Sequence, residues 1–146
     1  MKIALAADHA GFALKEKLVA ELRRLGHVSE DFGTSGTESC DYPDFAIPAV
    51  QSVAEAKNER AILCCTNGIG MSMIANRMPG IRGALVYSAR SAAMTRQHHD
   101  SNVLCLGAGE FPAETLLEWV RIWLSTDFEG GRHARRIGKV TALERK

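Results

Sequence analysis

The sequence has almost no charge of one sign to spare: 18 Lys and Arg stand against 17 Asp and Glu, a formal net charge of +1. General nucleic-acid binding draws on many unpaired Lys and Arg to neutralise phosphates, so no nucleic-acid partner is expected. Long apolar runs are missing too. Residues 81–87 form one of the longest and Arg82 interrupts it, whereas a membrane-spanning helix needs ~20 apolar residues. No membrane partner is expected. The N-terminus enters a strand-like run at once, without the basic stretch and cleavage site of a secretory leader, so a cytoplasmic location is expected. There is no repeat, low-complexity tract or linker. The four cysteines, at 40, 64, 65 and 105, form no CxxC pair and no Cys/His zinc spacing. A disulfide framework is unusual in a chain with its own core, so reduced thiols are expected, each by default a small core hydrophobe. What is there is 146 residues, 46% hydrophobic and 24% charged. That suffices for one domain, 1–146, with a core that needs no staple.

Short apolar runs alternate with helical patterns. Strands are predicted at 2–7, 27–32, 60–65, 81–87 and 102–106. Leu14, Leu18, Leu22 and Leu25 share one helix face, with Gly26 as its stop. Further helices are predicted over 43–56 with Pro43 in the first turn, from a Ser88 cap to His98, around Leu116, Val120, Trp123 and Leu124 after Pro112, and from Arg132 onward after Gly130 and Gly131. This alternation predicts a mostly parallel sheet with helices on both faces. Ligands in such sheets bind outside the carboxyl ends of the strands, so the residues that follow each strand are the ones to read.

The segment 65–72 (CTNGIGMS) closes a buried strand and opens a helix. Its glycines allow a tight turn with N–H groups pointing outward, able to hold phosphate or a developing oxyanion. A thiol there would have its thiolate favoured by the helix dipole. No Gly-Lys-Ser/Thr follows, so it is not a Walker loop. Met71 stands where a phosphatase cradle would need Arg. The plain alternative is a strand–helix turn holding a buried Cys. Asp8-His9 ends the first strand, where a carboxylate and an imidazole suit a ring oxygen or a phosphate, although Asp8 also suits a helix cap. Gln97-His98-His99-Asp100 suits proton transfer or ligand binding, or a histidine complementing a helix C-terminus. Arg132 and Arg136, four apart on one helix face, suit a phosphate dianion, or a solvated basic face. Tyr42, before a helix, could close over a ligand. Two chemistries use these parts. One is aldose–ketose isomerisation of a sugar phosphate; the other is nucleophilic catalysis, with Cys65 attacking an acyl group and His98 as its base. The arginine pair favours the first.

Five ordered segments carry a resemblance that covers essentially the whole chain: Asp8-His-Ala-Gly11, Asp41-Tyr-Pro43, Cys65 to Gly70 with Ser72 and Asn76, Arg96-Gln-His98 with Asp100 and Asn102, and Gly130-Gly-Arg-His133 with Arg136. In these the chain resembles type B ribose-5-phosphate isomerases, within the ribose/galactose isomerase group. The resemblance implies a Rossmann-like αβα sandwich on a five-stranded parallel sheet with a C-terminal helix. It also implies a sugar-phosphate isomerase that uses no metal and no cofactor, working as a homodimer or homotetramer whose sites draw on two subunits. Cys65 would be the base moving a proton between C1 and C2, and His98 would open the furanose ring with Asp8 assisting. His9, Arg132 and Arg136 would hold the phosphate, and amides around Gly68 to Gly70 the enediolate. Asn67, Tyr42, Ser72 and His99 would complete the site. Asn67 stands where the family commonly has Thr, and His99 where Asn is usual. An amide donates a hydrogen bond but does not shuttle a proton as a hydroxyl does, so these two bear on which sugar is taken: ribose 5-phosphate first, then allose 6-phosphate, erythrulose phosphate or galactose 6-phosphate.

Overall fold

In the computed structural model, which describes residues 1–145, residues 3–7 are all fully buried. A strand points successive side chains to opposite faces, so burial of every one means that this strand is covered on both sides. It is β1 (Lys2–Ala7), and in chain order it is followed by α1 (Phe12–Arg24), β2 (Val28–Asp31), α2 (Tyr42–Ala54), β3 (Arg60–Cys65), α3 (Ile69–Ala75), β4 (Gly83–Leu85), α4 (Ala89–His99), β5 (Val103–Gly107), α5 (Ala113–Ser125) and α6 (Arg132–Thr141), with a short 3-10 turn over Ala142–Arg145. The five strands are all parallel, in the order β2-β1-β3-β5-β4. This is the Rossmann-like sandwich expected from the sequence. Among the described residues no helix is long and apolar enough to cross a membrane.

The period of two sorts the core into halves. Ile3, Leu5, Ile62, Cys64, Leu104 and Leu106 face α1 and α5, where they meet Leu14, Leu18, Leu22, Leu116, Val120 and Trp123. Ala4, Ala6, Leu63, Cys65, Val103 and Cys105 face α2 and α3, against Ala46, Ala49, Val50 and Met71. The small residues of β1 let α2 lie close, while the larger ones fill the space under Trp123. Adjacent Cys64 and Cys65 therefore belong to different halves of the molecule.

Helix ends follow the local chemistry. Gly26, at φ 84, stops α1 as a left-handed residue that only glycine adopts freely. Ser88 and Ser91 form a reciprocal capping box on α4 (Ser91 N–H to Ser88 Oγ 2.9 Å, Ser88 N–H to Ser91 Oγ 3.0 Å). The edge strands are shorter than predicted. For 81–87 only Gly83–Leu85 is strand, because side chains capture the flanking donors: Asn102 Oδ1 takes the Arg82 N–H (2.8 Å) and Ser91 Oγ takes that of Tyr87 (3.0 Å).

Candidate active site

The chain reverses direction in the sheet between β1 and β3, the switch point at which parallel sheets bind ligands. Asp8 and Cys65 stand at the carboxyl ends of these two strands. Asp8 is buried, and its Oδ1 accepts the N–H groups of Ala10 (3.0 Å) and Gly11 (3.1 Å). Asp8 thus secures the turn that leads into α1 and does not cap the helix itself, whose N-cap is Gly11, and Oδ2 keeps no bond to the described chain. The close approach depends on Gly11: a Cβ there would sit 2.4 Å from the Cys64 carbonyl oxygen. His9 accepts the Cys40 N–H at Nδ1 (3.2 Å). That bond places the proton of a neutral His9 ring on Nε2, which is then a donor for an anion.

Cys65 is buried at the mouth of the loop, and its sulfur accepts the Gly68 N–H at 3.1 Å. That bond fixes the sulfur at the loop mouth, against the amide that starts the turn. The neighbouring Cys64 and Cys105 are fully buried, and burial pushes both thiols far above the ordinary range, so neither is a nucleophile. The turn depends on Gly68 (φ 77), where a Cβ would meet Leu85 Cδ1 at 2.6 Å. Asn67 Oδ1 accepts the Ile69 N–H (3.0 Å). The amides of Gly68 and Ile69 are thus taken, and the next free N–H groups at the start of α3 are those of Gly70 and Met71. Tyr42 lies flat against this loop: a Cβ on Gly70 would come within 2.9 Å of its hydroxyl oxygen. Ser72 donates its hydroxyl to the Ile69 carbonyl (2.7 Å), a bond within its own turn.

The remaining residues singled out from the sequence are elsewhere. A parallel β–α–β crossover returns the chain to the amino edge of the sheet, so the end of α4 lies there. Arg82, just before β4, donates through Nε to the His99 carbonyl (3.1 Å), and Ala61 of β3 donates to the Asn102 carbonyl (3.0 Å). Along the six residues of β3 the two edges are roughly 20 Å apart. His98 and His99 are at this second edge, with Arg132 and Arg136 exposed on α6 nearby and, among the described residues, without an acidic partner. One chain therefore assembles Asp8, His9, Tyr42 and the 65–72 loop at one edge, and the histidine–arginine group at the other.

Two residues that the sequence reading gave no role join the second group. The His133 ring stacks on His98 (centroids 4.1 Å apart, planes 8° off parallel), and its Nε2 is 3.4 Å from Glu129 Oε2. Burial, then the neighbouring His98 and Arg132, lower the His133 pKa. The only sequence signal for it was its place beside Arg132 in the glycine-led segment.

The profile of the ribose/galactose isomerase family matches residues 3–140. Ribose-5-phosphate isomerase B of Escherichia coli is 39% identical over 145 residues, covering 99% of this chain and 97% of that protein. Among solved structures, ribose-5-phosphate isomerase B of Clostridium thermocellum superposes with a TM-score of 0.97 at 41% identity, over 99% of this chain and 98% of that one. The Mycoplasma genitalium enzyme, with ribulose 5-phosphate bound, gives a TM-score of 0.95 at 36% identity, over 99% and 97%.

Proposed function

The chain belongs to the ribose/galactose isomerase family, and from that premise we propose that it interconverts ribose 5-phosphate and ribulose 5-phosphate through an enediolate. It is an aldose–ketose isomerase acting on a phosphorylated sugar. The observation that carries the mechanism is the Gly68 N–H donated to Cys65 sulfur, at the strand end next to Asp8. In this reading His98 protonates the ring oxygen as the furanose opens, and Asp8 receives the anomeric hydroxyl's proton. The Cys65 thiolate then takes the proton from C2 of the open aldose and returns it to C1, while O1 gains a proton and the O2 hydroxyl gives one up, so that C2–O2 becomes the ketose carbonyl. Charge that builds on the substrate oxygen between these events meets the free amides at the start of α3 and the Asn67 amide. Cys65 and a donor pair around it supply both a base and an oxyanion site within one turn of chain.

The phosphate is held by His9 Nε2–H and by the guanidiniums of Arg132 and Arg136, which can each donate paired hydrogen bonds to a dianion. Tyr42, Ser72 and His99 line the sugar. Proton transfer and phosphate binding need contacts near 3 Å, which a span of roughly 20 Å along the strands denies within one chain. The protein therefore works as a homodimer or higher oligomer, in which the histidine–arginine edge of one copy faces the Cys65 edge of another.

The test is conversion of ribose 5-phosphate by EDTA-treated protein beside Cys65→Ala, with deuterium uptake from solvent at the carbon next to the carbonyl. Turnover and exchange in the wild type, both lost in the variant, are expected. Wild-type turnover retained by Cys65→Ala overturns the base assignment. Turnover of a four- or six-carbon sugar phosphate in place of ribose 5-phosphate overturns the choice of sugar.

A further inference from the structure

Three ligating side chains converge at the second edge, and the reaction proposed above assigns a role to His98 alone among them. The donor atoms of His98, Glu129 and His133 all lie within 4.8 Å of one another. Glu129 is fixed there by its own backbone, whose N–H donates to the Gln97 carbonyl at 3.0 Å. His133 is the second residue of α6, which starts at Arg132 directly after Gly130 and Gly131, both at positive φ, so the turn that swings α6 across α4 is also what brings Glu129 and His133 together.

We propose that His98, Glu129 and His133 form a binding site for a divalent transition ion of the Zn²⁺ class, and that the ion inhibits the enzyme by occupying His98. Two imidazoles and one carboxylate are the donor set of three-ligand zinc sites that keep a fourth position open. The set is too rich in nitrogen for Mg²⁺ or Ca²⁺, which prefer oxygen. His133 is buried, with its Nε2 already turned to the Glu129 carboxylate. Glu129 is half exposed, which leaves the ion a way in from solvent. The stacked rings do not yet converge on one point; His98, less buried than His133, has to rotate about its ring torsion to complete the set. That rotation takes its nitrogen lone pair onto the ion and away from the sugar. Binding of the ion stands on this cluster alone, whereas its inhibitory effect rests on the function proposed above.

Equilibrium dialysis with ZnCl₂, with MgCl₂ as the control, is run on the wild type, Glu129→Gln and His133→Asn, and ribose 5-phosphate turnover is followed on the same samples. One Zn²⁺ per chain is expected in the wild type, with affinity weaker by about tenfold or more in both variants and no binding of Mg²⁺. Wild-type turnover should fall with the same midpoint as binding and return with EDTA. Glu129→Gln should turn over normally without zinc and resist it. No zinc bound by the wild type, or equal binding in both variants, overturns the site. Stoichiometric binding with turnover untouched overturns the inhibition. A wild type that binds zinc yet turns over no sugar phosphate overturns the isomerase reading and leaves the binding site standing.

Discussion

At the scale of single residues, the chemistry turns on contacts with almost no tolerance. Cys65 differs from Cys64 by one position and by everything that matters to reactivity, because a strand sends the two to opposite faces and only Cys65 reaches the loop and the Gly68 N–H. A Gly68→Ala protein should lose most of its turnover. Its Cβ would meet Leu85 at 2.6 Å in a left-handed backbone position, costing about 1–3 kcal/mol and displacing the donor from the sulfur. Turnover assayed beside a melting curve separates the two effects, and a folded variant with wild-type kcat would refute the role of that amide. Gly11→Ala is the matching case at α1, with a Cβ 2.4 Å from a backbone carbonyl oxygen that has no freedom to move. It should melt well below the wild type.

At the scale of elements, the helices are held by a few named contacts as well as by burial. Trp123 of α5 is fully buried and donates Nε1–H to Ser101 Oγ at 2.8 Å. Trp123→Phe leaves a void and an unpaired hydroxyl, and chemical denaturation should show a loss of about 2–3 kcal/mol. Glu21 ties α1 to α5. Hydrogen bonds from Arg24 and then Arg121 hold its pKa at about 2, against an ordinary 4.5. A depressed carboxylate contributes stability that is present in full above pH 4.5 and is lost as pH falls toward 2. Both arginines are substantially exposed, so the contribution is about 1 kcal/mol. Glu21→Gln should lower the melting temperature at pH 7, and that difference should close as both proteins are titrated toward pH 2. A gap that stays constant with pH would remove the ion pairs from the account.

At the scale of the whole molecule, the two half-sites at opposite sheet edges make a prediction about mixtures. Cys65→Ala and His98→Asn should each be inactive alone. Refolded together as equal parts of a dimer, roughly half the dimers are mixed, and each mixed dimer has one intact site, so about a quarter of wild-type turnover should return. No recovery would mean that His98 serves the Cys65 of its own chain. Arg132 and Arg136 should follow His98 in this test, since α6 lies at the same edge.

Much was legible in the sequence because it depends on short-range rules. The period of the apolar residues, the Gly26 stop and the Ser88 cap each act within a turn of chain, and together they gave the order of strands and helices. The 65–72 loop was readable for the same reason, since strand, turn and helix start are contiguous. The edge strand β4 came out shorter because Asn102 and Ser91 captured backbone donors from 20 and 4 residues away, a competition that no local pattern carries. Tertiary structure alone decided which cysteine faces which helix layer and that His133 lies on His98. It also set the histidine–arginine group a full strand length from Cys65, because each parallel crossover returns a helix end to the amino edge of the sheet, and spacing along the sequence holds no record of that distance.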